Sequence, residues 1–133
     1  MATRVLVVDD SNMSRQAVRR ILAPAGFDVV EAVDGIDALA KLRGYPDIAL
    51  VVSDVNMPRM NGLELLQSIQ ADASYGDVAV IIMSVADALE PFQRARGFGA
   101  KGWLKKPVSP EILLATVRKL TAERVMPPVS ESA

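Results

Sequence analysis

The sequence predicts an α/β fold: a doubly wound parallel sheet of five strands alternating with five helices. Three observations lead there. Short apolar runs rich in β-branched residues recur along the chain, as in strands buried on both faces of a parallel sheet. Stretches with apolar residues at helical spacing separate these runs. Polar residues able to do chemistry stand where runs stop: Asp9-Asp10 after the first, Asp54 after the third, Ser84 after the fourth and Lys106 after the fifth. Crossovers in such a sheet are right-handed, and its ligands bind beyond the C-terminal ends of the strands.

The elements follow in order. Arg4–Val8 is a strand ended by Asp9-Asp10-Ser11. Ser14 reads as a helix N-cap, and Ala17, Val18, Ile21 and Leu22 recur at helical spacing until Pro24 and Gly26 close the segment. Residues 27–32 form a second, shorter strand, and Asp34-Gly35 a turn. Ile36, Leu39 and Leu42 mark one helical face, ended by Gly44 and Pro46. The central strand spans 48–53 and runs into Asp54; Met57-Pro58 then breaks the chain and Asn61-Gly62 turns it. A helix from about Gly62 to Ala71 buries some of Leu63, Leu65, Leu66 and Ile69, and 72–77 is a polar loop. Residues 78–83 are the fourth strand. Helical character follows over 86–96, and because proline is tolerated only in a first turn, Pro91 puts the start near Leu89. Gly97, Gly99 and Gly102 introduce a fifth strand at 101–105. Pro107 and Pro110 flank the start of the last helix, with Ile112, Leu113, Val117 and Leu120 inward. One domain over 1–124 with a flexible tail over 125–133 is expected.

Composition narrows the chemistry. The chain has no cysteine and no histidine, which excludes disulfides, thiolate or imidazole metal sites, a Ser-His-Asp triad and a phosphohistidine carrier. No run approaches the roughly 18 apolar residues of a membrane span, and the four apolar residues after Arg4 are too few for a signal peptide core, so a cytoplasmic protein is expected. The net charge of −1 hides an asymmetry: residues 1–87 carry 7 basic and 12 acidic side chains, residues 88–124 carry 8 and 3. The basic segment reads either as ordinary solvated surface or as a docking face for an acidic partner. Nothing suggests nucleic-acid binding.

The rim set has a physical logic. Clustered carboxylates stay ionised together only when a cation neutralises them. Oxygen ligands with room for water suit magnesium. A carboxylate held there can attack phosphorus, giving an aspartyl phosphate, while the metal and a lysine neutralise the phosphoryl oxygens.

These residues resemble the receiver domain of two-component response regulators, in particular the stand-alone chemotaxis type, which is flavodoxin-like with strand order 2-1-3-4-5. The resemblance is carried by Val5-Leu6-Val7-Val8-Asp9-Asp10-Ser11, by Asp54-Val55-Asn56-Met57-Pro58 with Asn61-Gly62, by Met83-Ser84, and by Gly99-Ala100-Lys101-Gly102-Trp103-Leu104-Lys105-Lys106-Pro107; it covers about residues 3–124. It implies that Asp54 accepts a phosphoryl group from a histidine kinase or phosphotransfer protein. Asp10, Asp54 and the carbonyl of Asn56 would bind Mg2+, with Asp9 acting largely through water. Ser84 would follow the phosphoryl group, Lys106 would contact it, and the Lys106–Pro107 bond would be cis. Trp103 would occupy the aromatic switch position. Output would pass to a partner protein through the helix at 89–96, the fifth strand and the last helix. The expected assembly is a monomer or weak dimer, and the only catalysis that of its own phosphorylation and dephosphorylation. The chain departs from the family pattern in having Trp103 where Tyr or Phe is usual, Val85 where the residue is usually very small, and Ala86 where a polar group would position water. The last two imply slow uptake from small donors and slow hydrolysis.

Two other readings share the site. A haloacid-dehalogenase-like phosphatase also uses an Asp nucleophile, Mg2+, a hydroxyl and a lysine, but needs a second Asp where Asn56 stands, and no cap domain is legible. A pseudo-receiver would be a binding module with an idle site.

Overall fold

The computed structural model describes residues 2–85 and 89–125. Five parallel strands, β1 (Arg4–Val8), β2 (Asp28–Ala32), β3 (Ile48–Asp54), β4 (Ala79–Ser84) and β5 (Gly102–Lys105), form one sheet in the order β2-β1-β3-β4-β5. The helices between and after them are α1 (Asn12–Leu22), α2 (Gly35–Gly44), α3 (Gly62–Ala71), α4 (Leu89–Gly97) and α5 (Pro110–Val125). This is the expected flavodoxin-like architecture, with its topological switch between β1 and β3.

Alternation along the strands builds two cores. Val5 and Val7 of β1, with Leu50, Val52, Ile81 and Met83, pack under α1 and α5 through Val18, Leu22, Leu113, Val117 and Leu120. Leu6 and Val8, with Val51, Val80 and Ile82, pack under α2, α3 and α4 through Ala38, Leu42, Leu66, Ile69 and Ala95. β3 lies mid-sheet and is buried at all seven positions, which explains its unbroken apolar run.

Local chemistry corrects several expectations. The N-cap of α1 is Ser11, not Ser14: Ser11 is extended and its hydroxyl accepts the Ser14 N–H at 3.2 Å. Ile36 is exposed, and the buried face of α2 runs through Gly35, Ala38 and Leu42 because Met60 fills the space over Gly35. Ile112 is likewise exposed, since the inward row of α5 is Leu113, Val117 and Leu120, and Ile112 lies a helical step to the side. Part of the 72–77 loop is a short 3₁₀ turn, Ala73–Tyr75, capped by Asp72. α4 begins at Leu89, as expected, leaving Pro91 in its first turn. α5 runs one residue past the expected boundary, through Val125; Ala86 and the rest of the tail, 126–133, lie outside the described residues. Among the described residues no helix is long and apolar enough to cross a membrane.

Candidate phosphoryl-transfer site

The site is built where β1, β3, β4 and β5 end. Asp9 follows β1 and is almost wholly buried. Its Oδ1 accepts the Ser11 N–H at 2.9 Å and its Oδ2 the Lys106 ammonium at 2.8 Å. Its main chain is held from both sides: the N–H donates to Ala32 at 3.1 Å, and Arg15 of α1 donates to its carbonyl at 2.7 Å. Arg15 is in turn paired with Glu31 at the end of β2. Asp10, one residue on, is exposed.

Asp54 closes β3, the central strand of the five, and is 9% exposed. Its Oδ1 accepts the Val55 N–H at 2.8 Å, while Oδ2 lies 3.4 Å from the Lys106 ammonium. Burial pushes the Asp54 carboxyl above the ordinary carboxylate range; Lys106 opposes this, and the charge of Asp9 reinforces it. Burial pulls the Lys106 ammonium down, but its hydrogen bond to Asp9 and the charges of Asp54 and Asp9 outweigh that and leave it raised. Lys106 is thus held as a cation between two carboxylates.

Oxygens of Asp9, Asp10 and Asp54 approach within 4.8 Å of one another, close enough to share one cation. The donor set is hard oxygen throughout, which fits magnesium. Asp9 has both oxygens engaged by protein donors, whereas Asp10 is exposed and lines an open concavity with Asn56, Met57, Pro58 and Asn61. Asp10 is thus the open member of the cluster, while the oxygens of Asp9 and Asp54 already face protein donors.

Ser84, the last residue of β4, is buried one register step beyond the Asp54–Met83 pair, and its carbonyl accepts the Lys106 N–H at 2.9 Å. The Lys106–Pro107 peptide is cis. Val85 is 67% exposed and lines an apolar groove with Met13, Ala17, Pro107 and Val108. Trp103 on β5 is half-buried and meets Phe92 of α4 edge to face, with ring centroids 5.6 Å apart and planes at 85°. Every residue singled out from the sequence at the rim therefore stands at the same end of the sheet, and Trp103 stands beside it on the α4 side. Sequence reasoning did not single out Arg15, Asp34 or Arg59. Arg15 carried no motif, and Asp34-Gly35 read only as a turn although Asp34 caps α2 by accepting the Asp37 N–H at 2.8 Å.

A doubly wound sheet thus carries an acidic cluster, a buried central aspartate and a lysine together at its C-terminal rim. Comparison with known proteins gives the family. Residues 5–118 match the model of the response regulator receiver domain. Among curated relatives, chemotaxis protein CheY1 of Helicobacter pylori is 32% identical over 111 residues, 83% of this chain and 90% of that protein. A CheY homolog of Campylobacter jejuni is 33% identical over 83% of this chain and 85% of that protein. Among solved structures, CheY4 of Vibrio cholerae superposes with a TM-score of 0.84 at 37% identity, covering 90% of this chain and 99% of that one. A CheY of Borrelia burgdorferi, solved in complex with CheX, beryllofluoride and magnesium, has a TM-score of 0.82 at 28% identity, covering 90% and 89%. The chain belongs to the response regulator receiver domain family, the phosphorylation-activated switches of two-component signalling.

Proposed function

We propose that Asp54 is the phosphoacceptor of a chemotaxis-type response regulator receiver domain. The observation that carries this is the placement of Asp54: buried at the central strand end, with one oxygen tied to Val55 and the other facing Lys106 beside an acidic cluster. Its Oδ2 attacks phosphorus of a phosphohistidine on a histidine kinase or phosphotransfer protein. The O–P bond forms as the P–N bond breaks, and the imidazole leaves with the electron pair and takes its proton from solvent. Lys106 offsets charge on the phosphoryl oxygens, and the Ser84 hydroxyl hydrogen-bonds the product. Asp10, Asp54 and the Asn56 carbonyl are the residues to hold Mg2+, which when bound neutralises the carboxylates and the incoming phosphoryl group. The chain catalyses only its own phosphorylation and dephosphorylation, works in the cytoplasm, and passes its state to a partner protein. The relatives named for chemotaxis, and the CheY solved with a protein partner, support that setting.

The metal assignment is tested by calorimetric titration. Mg2+ should bind in the millimolar range, and Asp10→Asn should weaken it at least about tenfold, since it exchanges a direct anionic ligand for an amide. Wild-type affinity in that variant would exclude Asp10 as a ligand.

The output surface is α4, β5 and α5. Trp103 and Phe92 border an α4–β5 cleft of about 240 Å³ whose rim carries Arg96 and Lys101, so an acidic partner fits it better than a basic one. A phosphoryl group on Asp54 adds about two negative charges beside Lys106 and draws Ser84 toward it. The half-buried indole then shifts toward the space vacated between β4 and β5. Trp103 is the only tryptophan, so beryllofluoride added with Mg2+ should move its emission maximum. An unmoved maximum in protein that nevertheless gains partner affinity would make Trp103 a packing residue.

A further inference from the structure

Arg59 is the one non-glycine residue with positive φ among the described residues, at 66°. It is the centre of a three-residue turn in which the Met60 N–H donates to the Pro58 carbonyl at 2.7 Å. Turns of this hand are rare and strained, and arginine has no intrinsic preference for that backbone region. Such a conformation persists only where its surroundings hold it.

The surroundings here are a fork. Arg59 Nε donates to Asp34 Oδ2 at 2.7 Å and its Nη2 to Asp34 Oδ1 at 3.1 Å. The Asp34 side chain is only 4% exposed, so its charge needs a partner, and the bidentate guanidinium holds its carboxyl below the ordinary range despite burial. A second tie runs parallel: the Gly35 N–H donates to the Met60 carbonyl at 3.0 Å, and Met60 occupies the space a side chain at 35 would need. The start of α2 therefore grips the segment Arg59–Met60 by a charged pair, a backbone hydrogen bond and a packing contact.

That segment belongs to the β3–α3 loop, whose other members include Asn56 and Pro58 on the concavity shared with Asp10. The base of the loop is pinned by the Gly62 N–H on the Val55 carbonyl at 2.9 Å, and its far end by Asn61, the N-cap of α3. The Arg59–Met60 grip restrains the stretch between from the α2 side.

We propose that the Arg59–Asp34 pair is a positioning device: it holds the strained turn and so fixes the Asn56 main-chain carbonyl for the cation. The proposal rests on the Mg2+ reading above, and its sign separates it from plain electrostatics. Removing Arg59 takes a positive charge from the neighbourhood of a cation site, which by Coulomb's law tightens Mg2+. Loss of positioning weakens it.

The test uses the full chain. Arg59→Ala should weaken Mg2+ about tenfold, the scale of an outer-shell loss, and Arg59→Gly should do nearly the same although glycine relieves the turn. Asp34→Asn, which keeps a good helix cap, should weaken Mg2+ as well, without adding to Arg59→Ala in the double variant. In metal-free protein, hydrogen exchange of the Gly35 amide should accelerate in Arg59→Ala. Arg4→Ala, which breaks the pairs with Asp28 and Asp47 at the opposite end of the sheet, should lower Tm and leave Mg2+ affinity unchanged. Unchanged or tighter Mg2+ binding by Arg59→Ala, or full affinity in Arg59→Gly, overturns the positioning role. An unsubstituted protein that binds no Mg2+ overturns instead the metal reading beneath it.

Discussion

Asp54→Asn takes up no phosphoryl group from acetyl phosphate or a histidine kinase, and it melts at a higher temperature than the unsubstituted protein in the absence of metal. The first effect is chemical. An amide is a poor nucleophile and withdraws a negative metal ligand, so uptake should fall by at least about a thousandfold, to below detection by intact-protein mass spectrometry. The second effect follows from where the carboxylate sits. Burial and Asp9 raise the Asp54 pKa above its unfolded value, against the pull of Lys106. For an acid raised in this way the folded state binds the proton more tightly. The stabilising contribution is complete below the unfolded pKa and is lost as pH rises through the folded pKa. At neutral pH the ionised group therefore opposes folding, and the neutral amide removes that opposition. The gain in Tm should shrink in acid, where Asp54 itself becomes neutral. Phosphorylation of the variant at Ser84 or elsewhere would sink the acceptor assignment, and a lower metal-free Tm would sink the account of its burial.

The parts of this structure that the sequence made legible are those set by period and by position along a strand. β1 and α3 are bounded as expected because an apolar run ends in polar or turn residues at both places. Asp9, Asp10, Asp54, Asn56, Ser84 and Lys106 could be gathered without coordinates because a parallel sheet brings its C-terminal ends together. Side-chain rows on helices were less legible. Ile36 and Ile112 fit a helical repeat yet face solvent, since repeat spacing alone does not say which face turns inward: Gly35, Ala38 and Leu42 take the buried face of α2, and Leu113, Val117 and Leu120 that of α5. Least legible was the Arg59–Asp34 pair. Its partners are 25 residues apart, and nothing in Pro58-Arg59-Met60 announces a positive φ at an arginine. Such a pair depends on how two loops meet, which is tertiary information.

Gly62→Ala should damage the protein more than any other single methyl group at the rim, in stability and in phosphorylation together. Gly62 opens α3 directly against the end of β3, and its N–H donates to the Val55 carbonyl at 2.9 Å. A Cβ there would overlap the Asp54 carbonyl oxygen and would come within 3.0 Å of the Asp54 carbonyl carbon and 3.1 Å of Val55 Cα. These are backbone atoms at and just past the end of the fully buried central strand, so no flexible side chain can swing away to make room. Either α3 slides out, opening the core at Leu65, Leu66 and Ile69, or the main chain at Asp54 shifts. Overpacking of this kind costs about 3 kcal/mol, which lowers Tm by on the order of 10 °C for a domain of this size. Any shift at Asp54 also carries its Oδ2 away from the 3.4 Å approach to Lys106, so uptake from acetyl phosphate should slow even at temperatures where the variant is fully folded. Gly44→Ala is the matched control, because a Cβ there meets nothing within 4 Å. Equal melting temperatures for the two variants would mean that α3 does not approach β3 as closely as described.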